Sequence, residues 1–261
     1  MSSRKQVKQD RQARLAKVRA QQRAAQRKRR IIWFGGGGVV VVAAVVALVL
    51  ATVSSGGGGT HEVIPPGVAS GTPVVQPAAV TVPNTSGIAG VVAYVTTGWP
   101  SASNNGPASK ALGHNHVPGP VTYSVTPPVG GDHNATWMNC GVYSQPVPNE
   151  RAVHNLEHGA IWITYQPSLP QAQVNQLRDF ATRQSVVSIQ GQSMGSKYMD
   201  VTPYPGLPSP IVVTSWGFQL RLTSPTDPRL QQFVDKFRVS PKYSPEYGAP
   251  CTGGVGTPLQ T

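Results

Sequence analysis

Residues 31–53, "IIWFGGGGVVVVAAVVALVLATV", constrain this chain more than any other stretch, because 23 consecutive positions carry no charged side chain. About 20 apolar residues rising ~1.5 Å each cross the hydrocarbon core of a bilayer as a helix, and a helix satisfies its own backbone hydrogen bonds there. A single transmembrane helix is therefore expected over 31–53, with Trp33 at the headgroup level. A cleaved signal peptide is the alternative. Its basic region would be unusually long and no Ala-x-Ala site follows, although "ATVSS" offers small residues. Arg29 and Arg30 end a basic run without the surrounding pattern of a twin-arginine signal. Either reading exports everything that follows.

Charge fixes the orientation. Twelve of the 22 Lys and Arg lie in residues 1–30, where Asp10 is the sole acid, so that tail carries +11 of the formal +12. Positive charge on the N-terminal flank alone places residues 1–30 in the cytoplasm and residue 54 onward outside, in a cell-membrane protein of one span. The tail is rich in helix formers but has too few large apolar residues to build a core. It reads as a basic segment at the anionic inner leaflet, or as one that does nothing except set topology. The remaining 231 residues are nearly neutral, which argues against nucleic acid as a partner, since a phosphate-tracking surface needs clustered cations on the domain itself.

Residues 54–87 mix Gly, Pro, Ser, Thr and Ala with almost no charge and read as a tether. The exported domain is then expected over 88–261. "GIAGVVAYV" (87–95) is its first strand, and "TTGWPSASNNGPASKALG" a surface loop. "AIWITY" (160–165) has the pattern of a strand packed on both faces. A helix follows, with Ser168 as cap and Val174, Leu177 and Ala181 on one side. "YMDVTP" suggests another strand, and "IVVTSW" and "QLRL" a hairpin. Asp227 caps a second helix, in which Leu230, Phe233, Val234 and Phe237 recur at helical spacing. That mixed order favours an α+β fold over a doubly wound parallel sheet. Ser209-Pro210 is the expected place for a cis peptide bond.

The chemistry is concentrated in histidine. "HNLEH" (154–158) lies between Asn149, a natural helix N-cap, and Gly159, a natural helix end, so residues 150–158 are expected to make two helical turns. His154 and His158 then share a face, close enough to share a metal. His116 in "GHNHVPG" and His133 in "GGDHN" precede them on turns. Four imidazoles within 43 positions of a domain poor in ionisable groups suit Zn(II) or Cu(II), and Met138 would add softness for Cu(I). The bland alternative is that each ring bonds backbone carbonyls, Glu157 or Asp132 and pins a loop. His-x-x-Glu-His is also the pattern of a zinc hydrolase in which Glu157 activates a metal-bound water. That reading lacks an obvious later carboxylate, Asp235 and Glu246 being the only late acids. Tyr123, Trp137 and Tyr143 read as core residues beside these loops.

Cys140 and Cys251 both follow the apolar run, in a compartment where disulfides persist, and an even count leaves neither unpaired. A bridge between them is expected; two buried free thiols are the alternative. Cys140 cannot be both a metal ligand and half of a bridge.

"HVPGPVTYSVTPPVGGDHNATWMNCGVYSQPVPNERAVHNLEHGAIWITYQPSLP", "PYPGLPSPIVVTSWG" and "PEYGAPCTGG" occur in an order that resembles family 3105 of the domains of unknown function, found largely in actinobacterial membrane proteins. The resemblance covers residues 116–254, and His116, His133, His154, Glu157 and His158 fall on its motif positions. It implies a single-pass membrane protein with an external domain and supplies no activity. The functions expected are thus a non-catalytic envelope protein binding a transition metal through His116, His133, His154 and His158, a zinc hydrolase, or an envelope interaction module.

Overall fold

The computed structural model describes residues 61–68, 71–96 and 110–259, all within the unit that begins at Gly58. The basic tail, the 31–53 apolar run and most of the loop after Thr96 lie outside the described residues. Among those described, no helix is long and apolar enough to cross a membrane.

The described residues form a mixed α+β domain organised on the strand Ile161–Tyr165, every residue of which is buried. Numbered along the chain, the strands are β1 (Val74–Val75), β2 (Thr81–Val82), β3 (Val91–Tyr94), β4 (Val121–Thr122), β5 (Ile161–Tyr165), β6 (Ser188–Ile189), β7 (Gln192–Ser193), β8 (Met199–Pro203), β9 (Ile211–Ser215) and β10 (Phe218–Leu222). The helices are α1 (Asn149–His158), α2 (Gln171–Arg183) and α3 (Arg229–Phe237). Six strands make the main sheet in the order β2-β3-β10-β9-β5-β8. Within that sheet only β5 and β8 pair in parallel, Ile161 opposite Met199, as the intervening α2 crossover requires. The hairpin β9–β10 turns at Trp216-Gly217, with Phe218 opposite Ser215.

Alternation along β5 divides the core. Ile161, Ile163 and Tyr165 join Val174, Leu177 and Ala181 of α2 and Leu230, Phe233, Val234 and Phe237 of α3 in one apolar cluster. Trp162 joins Ala152, Val153 and Leu156 of α1 in another. Each large apolar side chain so buried contributes about 1.5–3 kcal/mol. β8 repeats the alternation: Met199 and Val201 belong to the first cluster, so Asp200 and Thr202 turn toward the α1 side. There the Trp162 indole donates to Thr202 Oγ1 at 2.9 Å.

α1 begins after an extended Pro148 and ends at Gly159, whose φ of 103° is left-handed. A Cβ at Gly159 would lie 2.8 Å from Val239 Cα, so both the backbone angle and the close approach require glycine. Nine of the helix's ten residues are buried, which a chain this polar tolerates only by satisfying its side chains internally. The Val121 N–H donates to Glu150 Oε1 at 2.9 Å. Arg151 donates to the Pro66 carbonyl at 2.6 Å and the Thr136 carbonyl at 2.9 Å.

Three expectations are corrected. The tether assigned to 54–87 is largely part of the fold: β1 pairs in parallel with β4, β2 extends the main sheet, and Val63 bridges Thr257. Glu62 accepts hydrogen bonds from the Ser144 N–H and hydroxyl. This segment is held through its backbone and through single polar contacts, which leave no periodic apolar signature. The cis peptide bond is Thr126-Pro127 rather than Ser209-Pro210. Asp227 does accept from the Arg229 N–H at 2.9 Å, but the helix it caps begins at Arg229 itself.

The Cys140–Cys251 disulfide is formed, with the Cα atoms 5.4 Å apart and a separation of 111 in sequence. It holds the closing segment against α1, where the Glu246 N–H donates to the Glu157 carbonyl at 3.0 Å.

Candidate metal centre

α1 supplies His154, Glu157 and His158 from within one turn, and the chain before it supplies His116 and His133. A parallel bridge between His116 and His133 brings those two loops together, the Val117 N–H donating to the His133 carbonyl at 2.8 Å. The rings of His116, His133 and His154 then form a triangle with centroid separations of 4.9, 4.8 and 4.9 Å. His158 stands edge-on to His154 at 4.4 Å.

Backbone carbonyls set the tautomer of three rings. His133 Nδ1 lies 2.8 Å from the Gly131 carbonyl, His154 Nδ1 2.6 Å from that of Asn134, and His158 Nδ1 2.7 Å from that of Pro250. A carbonyl only accepts, so each Nδ1 carries its proton, and in the neutral ring each Nε2 is left as a lone pair. That is the arrangement by which proteins orient histidine ligands. Burial, the nearby His158 and the other neighbouring rings outweigh the Asn134 hydrogen bond and push the His154 pKa down to about 3, which keeps the ring neutral.

The Nε2 atoms meet carboxylates. His133 Nε2 is 2.9 Å from Glu157 Oε2, and His116 Nε2 is 3.8 Å from the same oxygen. The 2.9 Å contact is short enough for a hydrogen bond but is not directed as one, and neither buried atom makes a hydrogen bond. Two lone pairs held that close need a cation between or beside them, either a proton or a metal ion. His158 Nε2 lies 3.4 Å from Glu246 Oε2, and the neighbouring His158 holds the Glu246 carboxyl below the usual carboxylate range.

Two donor sets result: His116, His133, His154 and Glu157, and, sharing His154, the triad His154, His158 and Glu246. Within each set the donor atoms lie no more than 4.8 Å apart. A tetrahedral zinc shell has ligands ~2.1 Å from the ion, so its ligand atoms stand ~3.4 Å apart, and small ring rotations would close the first set. The four expected imidazoles do come together, but His158 belongs to the second set and Glu157 takes its place in the first. His154 and His158 are each 2 % exposed, and Glu157 likewise, whereas the His116 side chain is 43 % exposed. His116 is thus the surface edge of an otherwise buried site.

Other residues fall into smaller roles. Trp137 packs against both His154 and His158, with ring centroids 5.7 and 5.3 Å away, and so shields the cluster. Met138 is fully buried in the apolar cluster with Tyr143 and Trp162. Asp132 accepts from the Asn115 N–H and side-chain amide. Glu246 as a partner of His158 was hidden from sequence reasoning because 88 positions separate them; its one signal was that it is the last acid of the chain, five residues before Cys251.

A family model described as "Protein of unknown function (DUF3105)" matches residues 114–253, a span that contains both donor sets and both cysteines. No curated protein and no solved structure matches the chain. Since the matched span is more than half of the sequence and carries every residue of the site, the chain belongs to the DUF3105 family.

Proposed function

We propose that this is a non-catalytic, membrane-anchored envelope protein whose external domain binds one transition-metal ion, Zn(II) or Cu(II), through His116, His133, His154 and Glu157. The observation that carries the reading is the buried pair of His133 Nε2 and Glu157 Oε2, 2.9 Å apart and without a hydrogen bond, beside two further imidazoles. An imidazole-rich set with one carboxylate suits both ions. Because His154 Nδ1 is engaged with Asn134, the ring has a single nitrogen to offer, so the two donor sets compete for it and one ion binds per chain. The anchor and the outward orientation are supported by the uncharged 31–53 run and its one-sided positive flank, and an oxidising compartment by the disulfide. Metal content of the purified protein, with Zn and Cu titrations followed by thermal shift, tests the reading: about one ion per chain is expected, and no metal above background with no shift would remove it.

One observation favours zinc hydrolysis as a second reading. Glu246 supplies the late carboxylate that His154 and His158 need. Glu157, the base in that scheme, is turned instead toward His133 and His116. Glu157→Gln separates the two: with Glu157 as a ligand the variant loses zinc affinity, whereas with Glu157 as the base of a hydrolase it keeps zinc on His154, His158 and Glu246 and loses activity.

A further inference from the structure

The disulfide has surroundings that a purely structural bridge does not need. Cys251 is fully buried, whereas Cys140 is half-buried and lines a cleft of about 270 Å³. Ala181 and Thr182 of α2, the exposed Val186, and Gly195 and Lys197 form part of its wall. Behind Cys140 stands Asp200, a wholly buried carboxyl on β8, with Oδ2 3.7 Å from Cys140 Sγ. The Asn155 amide joins the two, donating to Asp200 Oδ2 at 2.8 Å and approaching Cys140 Sγ at 3.3 Å. The Gly141 N–H donates to Asp200 Oδ1 at 3.1 Å.

We propose that Cys140–Cys251 is a thiol–disulfide exchange centre, with Cys140 as the attacking sulfur, Cys251 as the resolving sulfur and Asp200 as the base that takes the Cys140 proton. The cleft admits the sulfur of the exchange partner, a small or protein-borne disulfide when the centre is reduced and a dithiol when it is oxidised.

In the reduced centre the Cys140 thiol passes its proton to Asp200 Oδ2, and the Asn155 amide stabilises the thiolate. The thiolate attacks one sulfur of the external disulfide, forming a Cys140 mixed disulfide and expelling one thiolate, which takes a proton from water. Asp200 returns its proton to solvent, and Cys251 loses its own proton to water and attacks Cys140 Sγ, which expels the second thiolate, protonated in turn by water, and closes the bridge. Two electrons and two protons leave the protein, and one disulfide becomes two thiols. A dithiol reverses the sequence.

Three features support the assignment. The two sulfurs differ in access, so an incoming sulfur can reach only one of them. A neutral amide at position 200 would fit the strand without the desolvation that burial imposes on a carboxylate, so the acid costs stability that an amide would not. Burial also pushes the Asp200 pKa up to about 7, into the range of a general base at neutral pH. None of this depends on the metal reading, since neither cysteine is in a donor set.

The test uses the full chain in detergent, reduced with dithiothreitol, freed of it, and then given oxidised glutathione while bridge closure is followed by acid quench and mass spectrometry. The expected results are closure in the folded protein, closure at least tenfold slower in Asp200→Asn, and a glutathione adduct trapped on Cys140 in Cys251→Ser. A native reduced protein that stays inert until denatured, or an Asp200→Asn rate equal to wild type, overturns the proposal. Should Asp200→Asn not fold, brief alkylation of the reduced wild-type protein decides instead: preferential labelling of Cys140 supports the assignment, and equal or absent labelling of the two cysteines sinks it.

Discussion

Asp200→Asn also makes a stability prediction that can be worked from the structure. The Asp200 carboxyl has its pKa raised from 3.8 to about 7 by burial, against the lowering effect of the Asn155 and Gly141 hydrogen bonds. Between those two values the folded state holds a proton that the unfolded state has lost, so the contribution of this group is full below pH 3.8 and is lost as pH rises to 7. The shift of about 3 units corresponds to about 4 kcal/mol. His154 works in the opposite direction: its pKa is lowered from 6.5 to about 3, so its contribution is present above 6.5 and is lost as pH falls toward 3. Wild-type stability is therefore expected to be nearly flat between pH 4 and 6.5, two slopes of about 1.4 kcal/mol per unit cancelling. In Asp200→Asn only the histidine slope remains. The new amide keeps the Gly141 bond through its oxygen, and Asn155 can rotate so that its own buried, unpartnered Oδ1 accepts from the new NH₂. Urea unfolding of the oxidised, metal-free protein should show the variant gaining about 4 kcal/mol on wild type between pH 4 and pH 8. A difference that stays constant within about 1 kcal/mol over that range would refute the reasoning.

Phe233→Ala should cost about 3–5 kcal/mol in the same assay, because the ring is fully buried and packs on Phe237 with centroids 4.6 Å apart; a loss below 1 kcal/mol would place it outside the core. Glu157→Gln should weaken zinc binding by tenfold or more, whereas Glu246→Gln, in the other donor set, should leave it within a few-fold; calorimetric titration distinguishes them, and the reverse ranking would move the ion to the second set. Metal affinity should fall as pH drops, since protonated rings cannot ligate; a pH-independent affinity would argue against imidazole ligands. An accessibility tag at the carboxyl end should react in intact cells, and a shielded tag would contradict the outward orientation.

The parts of this fold that were legible in the sequence are those where packing is periodic. β5 announced itself by alternation, α3 by Leu230, Phe233, Val234 and Phe237, and the end of α1 by a glycine that has to adopt a left-handed angle. The four imidazoles were legible as residue types crowded into one region. Their division into two sets was not, because it depends on Glu157 turning toward His133 and on Glu246 arriving from the closing segment. Residues 61–87 were misread for a related reason: β1 and β2 are two residues long, and Glu62 binds Ser144 across 82 positions, contacts that leave no local pattern. Asp200 was visible as an acid within a strand, but its place beside Cys140 is a product of tertiary packing alone.

The central claim is a single ion held by His116, His133, His154 and Glu157. Anomalous diffraction at the zinc edge from crystals of the zinc-loaded protein tests it most directly. The account predicts one peak per chain, within ~2.2 Å of the Nε2 atoms of His116, His133 and His154 and of a Glu157 oxygen. Zinc found instead on His158 and Glu246, or only at scattered surface positions, would contradict it.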